Sequence, residues 1–484
     1  MDSIVEVVLH HGRTNPDKLC LADDSHTVSY QEYCGLFGRM ATVFKDLGVG
    51  SGVCVVVEAE QTIEYLATEL AIQLAGGIFV PVEHNCAAEK IRDFAQRVRA
   101  AFIVSSQGIE NSISLMEICA RAENAAVFCP QSLPKKEDVG EILFSTGTTG
   151  REKGIVLTHD NDIALAENAI SGVKLKEDNV ELILAPFNHS HGLRRYYANM
   201  LYGATVVMQS SVMNMKRMFE HFEQYHVNAI DLVPAGLHVL LELSGERLGD
   251  YDEQLRYRQF GSAPLRKEDK EKLKRLLPHV KMYTIYGSTE SGITLVYEFN
   301  QKAEKVNCIG RPACNAELLV VNEEKAPIVS SADNPGFLAF RGRMNMKGYW
   351  DDEEETNKAM TEGVVYSNDM GYLDGDGDVI LLGRQGDVMN VGGKKVSPME
   401  IENVVNSLEG VADCGCVSIE DKSYGEVPKL FVQMKAGYSF DGRKIRKELM
   451  SKLEPYKIPH FIVEIAKIPR TYKGSLQRGK LREM

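Results

Sequence analysis

Ser145-Thr146-Gly147-Thr148-Thr149-Gly150-Arg151-Glu152-Lys153-Gly154 is a run of small hydroxyl residues and glycines closed by a lysine. Apolar Ile142-Leu143-Phe144 precede it and Ile155-Val156-Leu157 follow it. The pattern predicts strand, polar loop, strand. Its glycines leave backbone N–H groups free to curl around an anion. The hydroxyls of Ser145, Thr146, Thr148 and Thr149 add adjustable donors, and Lys153 adds a point charge. By composition this is a phosphate cradle; taken alone, it is also what a solvated surface turn looks like. It is not the G-x-x-x-x-G-K-[ST] loop, because no glycine directly precedes Lys153 and the next stretch reads as a strand rather than a helix.

Outward from this loop, apolar β-branched runs at 53–57, 102–104, 182–185, 204–208 and 230–233 alternate with helix-like stretches such as 213–225 and 264–277. That alternation predicts an α/β fold with parallel sheets. Near 336–340 and 378–382 the pattern changes to strands joined by tight turns, one of them Asp374-Gly375-Asp376-Gly377. A small β subdomain is expected there. Gly383-Arg384-Gln385-Gly386 then reads as a boundary. Beyond it come a short β piece, a helix at 398–408, strands near 411–417 and 430–432, and a helix at 441–453: a compact α+β unit. A chain of 484 residues is too long for one ordinary core. The expected organisation is a large domain over 1–383, a hinge at 384–386 and a C-terminal α+β domain over 387–484.

Composition narrows the function. A hydrophobic content of 44% and a charged content of 25% fit a soluble globular protein. A net charge of −13, with no dense Lys/Arg run, argues against nucleic acid as the main partner. The start lacks a secretory signal, and the most apolar region, 52–82, is interrupted by Glu58, Glu60, Glu64 and Glu69, so no transmembrane segment is expected. Ten scattered cysteines without metal or disulfide spacing predict free, mostly buried thiols and a cytoplasmic location.

The loop resembles the signature loop of the adenylate-forming superfamily: acyl-CoA synthetases, peptide-synthetase adenylation domains and luciferases. The resemblance continues in order along the chain, through Leu157-Thr158-His159, Ala185-Pro186-Phe187-Asn188-His189-Ser190-His191-Gly192-Leu193 and Gly261-Ser262-Ala263-Pro264-Leu265. It goes on through Tyr286-Gly287-Ser288-Thr289-Glu290, Ser367-Asn368-Asp369-Met370-Gly371-Tyr372, Gly383-Arg384-Gln385-Gly386-Asp387 and the segment 469–478. It implies ATP-dependent activation of a carboxylic acid as an acyl-adenylate, then thioester formation on CoA or on the phosphopantetheine of a separate carrier protein. It also implies Mg²⁺ and a mobile C-terminal lid. No carrier domain is expected to be fused to the chain.

The resemblance assigns roles residue by residue. Thr146, Thr149 and Lys153 hold the β- and γ-phosphates, with Ser145, Gly147, Thr148 and Gly150 completing the cradle. Glu152 stands where a proline is usual and is expected to point outward. Gly261, Ala263 and Tyr286 face adenine, and a tyrosine ring offers a stacking surface. Gly287 allows close approach of the ligand. Thr289 reaches the α-phosphate, and Glu290 coordinates Mg²⁺. Asp369 takes the ribose hydroxyls, because a carboxylate accepts two hydrogen bonds, and Arg384 backs it. Gly386 falls at the pivot. Gly392-Gly393-Lys394-Lys395 resembles the segment that faces the thiol tunnel, where Lys394 or Lys395 meets a CoA phosphate or is simply solvated. His189 lies beside the acyl pocket. Arg194 and Arg195 either reach a second anionic or polar group of the substrate or form an exposed pair on a helix surface. With Asn188 and His191, they hint at a small polar or aromatic acid.

One position departs from the pattern. The family lysine that bridges the carboxylate and the α-phosphate aligns with Ser475 in Lys473-Gly474-Ser475-Leu476-Gln477-Arg478. Serine supplies no charge. Either Lys473 substitutes, or the first half-reaction is slow, or the chain is a non-catalytic nucleotide-binding relative.

Overall fold

The computed structural model describes residues 1–146, 152–261, 265–300, 305–470 and 476–484, with the side chains of Thr146 and Lys267 outside the description. Its strands form three sheets. In the first, Leu19–Ala22, Thr205–Met208, Val180–Ile183, Ala229–Leu232, Tyr257–Phe260 and Lys281–Ser288 lie side by side and parallel. The sheet then continues in antiparallel fashion through Gly292–Glu298, Cys308–Pro312, Val379–Arg384, Val364–Leu373, Gly336–Arg341 and Glu317–Val321. The tight-turned strands expected as a small β subdomain form this antiparallel end, joined to the parallel strands through Gly292–Glu298 and Cys308–Pro312.

The second sheet is parallel through Ser112–Ile113, Phe102–Val104, Cys54–Glu58, Ile78–Val82 and Val139–Thr146. Glu152–Thr158 and then Gly348–Tyr349 add to it antiparallel. Cys54–Glu58 and Ile78–Val82 are buried at every position, as strands covered on both faces must be. One apolar core spans both sheets: Val55, Phe79, Leu143 and Leu157 from the second meet Leu21, Ile183, Met208 and Leu295 from the first. Helices Ile63–Leu74, His159–Val173 and Ser190–Tyr202 contribute to it. Thr158 both ends a strand and caps the next helix, accepting from the Asn161 N–H while Asn161 accepts from the Thr158 N–H. That cap fixes the direction of the chain as it leaves the phosphate-loop hairpin.

The third sheet, with Met389–Val391, Lys394–Val396, Val411–Asp421, Gly425–Met434 and Phe461–Glu464, has its own core around Ile401, Val405, Leu430 and Leu449. Gly386 precedes it with φ at +82°, a conformation natural to glycine. Arg482 donates to the Gly386 carbonyl and to Asp387 Oδ1. The ten cysteines are unpaired and mostly buried. Among the described residues, no helix is long and apolar enough to cross a membrane.

Candidate functional site

The hairpin Val139–Thr146 and Glu152–Thr158 places Ser145 opposite Lys153 and Thr146 opposite Glu152. Successive side chains of a strand face opposite ways. Glu152 Oε1 accepts from Lys90 Nζ at 2.8 Å, on helix Ala88–Arg97. Lys153 Nζ donates to Glu355 Oε2 at 2.5 Å and lies 4.8 Å from the centroid of the Tyr349 ring. The neighbouring charges are thereby separated, so Glu152 does not oppose Lys153. The Thr146 side chain, Gly147, Thr148, Thr149 and Gly150 lie outside the described residues, as does Ala263.

Strand Lys281–Ser288 carries Tyr286, Gly287 and Ser288, because Gly292–Glu298 pairs with it through Ser288, with a bulge between Tyr286 and Gly287. Tyr286 Oη donates to Asp369 Oδ2 at 2.6 Å. Burial and the Asp369 charge both push the Tyr286 phenol up. Asp369 and Arg384 are register partners on adjacent strands, with Arg384 Nε 3.6 Å from Asp369 Oδ1. A Cβ at Gly287 would sit 1.7 Å from the Gly292 carbonyl oxygen. The protein's own backbone therefore already demands glycine there, whatever approaches from outside.

Thr289 and Glu290 occupy the turn after this strand. The Glu290 carbonyl accepts from the Met346 N–H at 2.8 Å, and its carboxylate accepts from Tyr349 Oη at 2.9 Å. Burial, then the Glu290 charge, raise the Tyr349 phenol. Tyr349 thus touches Lys153 with its ring and Glu290 with its hydroxyl. Neither Tyr349 nor Glu355 was singled out from the sequence. The only signal was Gly348-Tyr349-Trp350, a short aromatic run ahead of an acidic one, and pairing with a strand nearly 200 residues earlier is not encoded locally.

His189 precedes helix Ser190–Tyr202, with Nε2 3.4 Å from Asn188 Nδ2. His191 Nε2 is 2.8 Å from both oxygens of Asp231, on the parallel strand Ala229–Leu232. A Cβ on Gly261 would come within 2.8 Å of His191 Cε1. The segment 188–191 and Gly261 therefore meet at the ends of the parallel strands, where open α/β sheets place ligands.

Arg194 and Arg195 correct the sequence reading. Both are fully buried, neither on a helix surface nor open to a substrate. Arg194 pairs with Glu141 and Asp162. Arg195 grips Glu181 through Nε and Nη2, at 2.8 and 2.6 Å, and donates to Gln259 Oε1. Gln259 in turn donates to Asp231, the partner of His191. Acids within the apolar runs at 139–144 and 180–185 were the available signal: a carboxylate inside a buried strand needs a cation.

Lys394 lies 4.4 Å above the Tyr456 ring in the C-terminal unit and is exposed. Lys473 and Ser475 lie outside the described residues. Arg470 and Leu476, which flank them, form an antiparallel bridge, and Arg470 holds Asp413 with two hydrogen bonds of 2.7 Å. Elsewhere Asp374, Asp376 and Asp378 converge, and Lys305 Nζ donates to all three at 2.5–2.8 Å.

The fold is that of solved adenylate-forming enzymes. Apo MatB from Rhodopseudomonas palustris superposes with a TM-score of 0.86 at 22% identity, covering 100% of this chain and 99% of that one. o-Succinylbenzoate CoA synthetase (MenE) from Bacillus subtilis, bound to its acyl-adenylate intermediate, gives 0.83 at 22% identity over 99% and 98% of the two chains. The family model described as AMP-binding enzyme matches residues 8–350, and that of the AMP-binding enzyme C-terminal domain matches 400–475. This chain belongs to the AMP-binding enzyme family, as the sequence reading held. Its relatives include 2-succinylbenzoate–CoA ligase of Geobacillus sp. (strain WCH70), 26% identical over 100% of this chain and 98% of that protein. 4-Coumarate-CoA ligase 1 of Narcissus pseudonarcissus is 26% identical over 96% of this chain and 90% of its own length.

Proposed function

We propose that this enzyme is an AMP-forming acid–thiol ligase that acts on an aromatic or arylalkanoic acid, with CoA as acceptor. The carrying observation is the clustering around the end of strand Lys281–Ser288. Tyr286 reaches Asp369, while Tyr349 joins Glu290 to the underside of Lys153. The named relatives are CoA ligases, which supports CoA over a carrier protein, and their acids, 2-succinylbenzoate and 4-coumarate, are aromatic. Asn188, His189 and His191 supply the polar side of the acyl pocket in this proposal; Arg194 and Arg195 no longer do.

In the first step a carboxylate oxygen attacks the α-phosphorus of ATP. A P–O bond forms, the bond to pyrophosphate breaks, and pyrophosphate leaves with the electron pair. In the second, a thiolate attacks the acyl carbon and AMP leaves. Charge builds on phosphate oxygens throughout, so catalysis is positioning plus electrostatic stabilisation. Thr146, Thr149 and Lys153 hold the β- and γ-phosphates, Thr289 the α-phosphate, and Asp369 with Arg384 the ribose. Glu290 fits Mg²⁺ by its chemistry, a hard carboxylate oxygen completed by phosphate oxygens. The ion, when bound, screens the triphosphate charge. We place the pivot at 384–386, between a domain over 1–383 and a lid over 387–484; the positive φ of Gly386 supports it.

The second reading, impaired adenylation, is favoured by Ser475 alone. The test is pyrophosphate release from MgATP with short, aromatic, dicarboxylic and long-chain acids, without and then with CoA. Release that depends on aromatic acids is expected, and loss of it in Lys473→Ala would give Lys473 the missing role. No release from the native chain, with recovery in Ser475→Lys, would instead establish the impaired reading.

A further inference from the structure

Lys153 and Glu290 come from different sheets, yet both charged ends are held by one short stretch, strand Gly348–Tyr349 and helix Glu353–Ala359. That stretch is zipped to the hairpin. Tyr349 pairs with Ile155, Gly348 pairs with Val156, and the Trp350 N–H donates to the Gly154 carbonyl at 2.7 Å. Glu355 Oε2 takes the Lys153 ammonium over the Tyr349 ring. With 20% of the Lys153 side chain and 29% of Glu355 exposed, the pair is reachable by a soluble anion.

The geometry points to Glu355 as an internal competitor of the triphosphate: it holds Lys153 until the β- and γ-phosphates of MgATP take the ammonium, and recaptures it as pyrophosphate leaves. The inference rests on Lys153 being a phosphate ligand, as proposed above. The exchange is chemically cheap. Glu355 Oε1 also accepts from Lys358 at 2.8 Å, so release of Lys153 leaves the carboxylate paired. Lys153 trades one anionic oxygen for another and keeps a charge-assisted hydrogen bond throughout. Its position need change little, because the cation–π contact with Tyr349 and the strand pairing hold the stem. A competitor in the same chain lowers ATP affinity by the fraction of time it holds the lysine. It also speeds loss of pyrophosphate, the product that bears those two phosphates.

Calorimetric titration of MgATP, magnesium pyrophosphate and AMP into the native enzyme, Glu355→Gln and Glu354→Gln tests this. Glutamine keeps the shape and removes the charge. Glu355→Gln should bind MgATP and pyrophosphate about fivefold more tightly, the scale of a partly exposed ion pair. AMP, which lacks both phosphates, should bind unchanged. Glu354, 82% exposed and paired with Lys358, is the control for general charge, and its variant should match the native enzyme for all three ligands. Unchanged or weaker MgATP binding in Glu355→Gln overturns the inference. So does equal tightening for AMP, or for Glu354→Gln. Acid-dependent pyrophosphate release by the native enzyme separately tests the ligase reading; its absence alongside selective tightening would remove that reading and leave the competition standing.

Discussion

Two groups of charges lie on the two strands of one hairpin and its neighbours, and they behave differently. Glu141, on strand Val139–Thr146, belongs to the buried network of Arg194, Asp162, Tyr197 and Glu69; Arg195, next to Arg194 on helix Ser190–Tyr202, pairs with Glu181 of strand Val180–Ile183. Lys153, on the opposite strand, belongs to the half-exposed group of Glu355, Tyr349 and Glu290. In the first group, Glu181 accepts from Arg195, Asn179, Asn199 and Tyr257, at zero exposure. In the second, each ion has one or two partners and water within reach. A buried ion with several partners is fixed, since removing one partner strands the rest. A half-exposed ion with one partner can change partner at small cost. Residue type does not separate scaffold from chemistry here; depth and number of partners do.

The comparison breaks most visibly at Arg195. Arg195→Met leaves Glu181 buried without its cation and should cost about 3–5 kcal/mol in urea unfolding. Lys153→Met should change stability by less than about 0.5 kcal/mol. Equal losses would erase the distinction. Activity should invert the order: Lys153→Met is expected to lower acid-dependent pyrophosphate release by about 10²-fold, the scale of a lost charge-stabilising donor.

Next in size is a pH effect confined to the buried group. Burial, then the neighbouring Glu141 charge, lift Glu69 from the ordinary value to about 8. Between pH 4.5 and 8 the folded chain therefore holds a proton there that the unfolded chain has lost, and stability falls as pH rises. The contribution is complete below the unfolded value and gone once pH passes about 8, with a slope of up to about 1.4 kcal/mol per pH unit. Glu69→Gln should flatten the unfolding free energy across this window; a slope unchanged by the substitution would sink the assignment. The smallest effect belongs to Arg384, 69% exposed and 3.6 Å from Asp369. Arg384→Ala should leave unfolding unchanged and raise the KM for ATP severalfold, about 1 kcal/mol of binding.

Much of this was legible in the chain. The glycine and hydroxyl run flanked by apolar triplets marked one hairpin, and Asp374-Gly375-Asp376-Gly377 marked the turn of another, between strands Val364–Leu373 and Val379–Arg384, with Gly377 at φ +78°. The spacing between 369 and 384 could be read as two strands, though not that the turn sets Asp369 opposite Arg384. Arg194 and Arg195 were misread for a physical reason. Their counter-ions, Glu141, Asp162 and Glu181, lie 14 to 53 residues away, so helix periodicity gives charge without depth. Tyr349 and Glu355 were invisible because their partners lie about 60 to 200 residues off, beyond any local pattern. Gly287 was read as room for a ligand; that the Gly292 carbonyl also requires glycine there follows from strand pairing and was not legible locally.

Lys305 gives the molecule a tethered counter-ion. Its ammonium closes the ring of Asp374, Asp376 and Asp378, and their combined pull raises its own pKa. A dissolved cation would have to evict a group it cannot dilute away. Magnesium added to drive turnover should therefore leave this turn unchanged. Lys305→Ala would leave the three carboxylates facing one another with Arg311, paired with Asp378, as their remaining cation among the described residues.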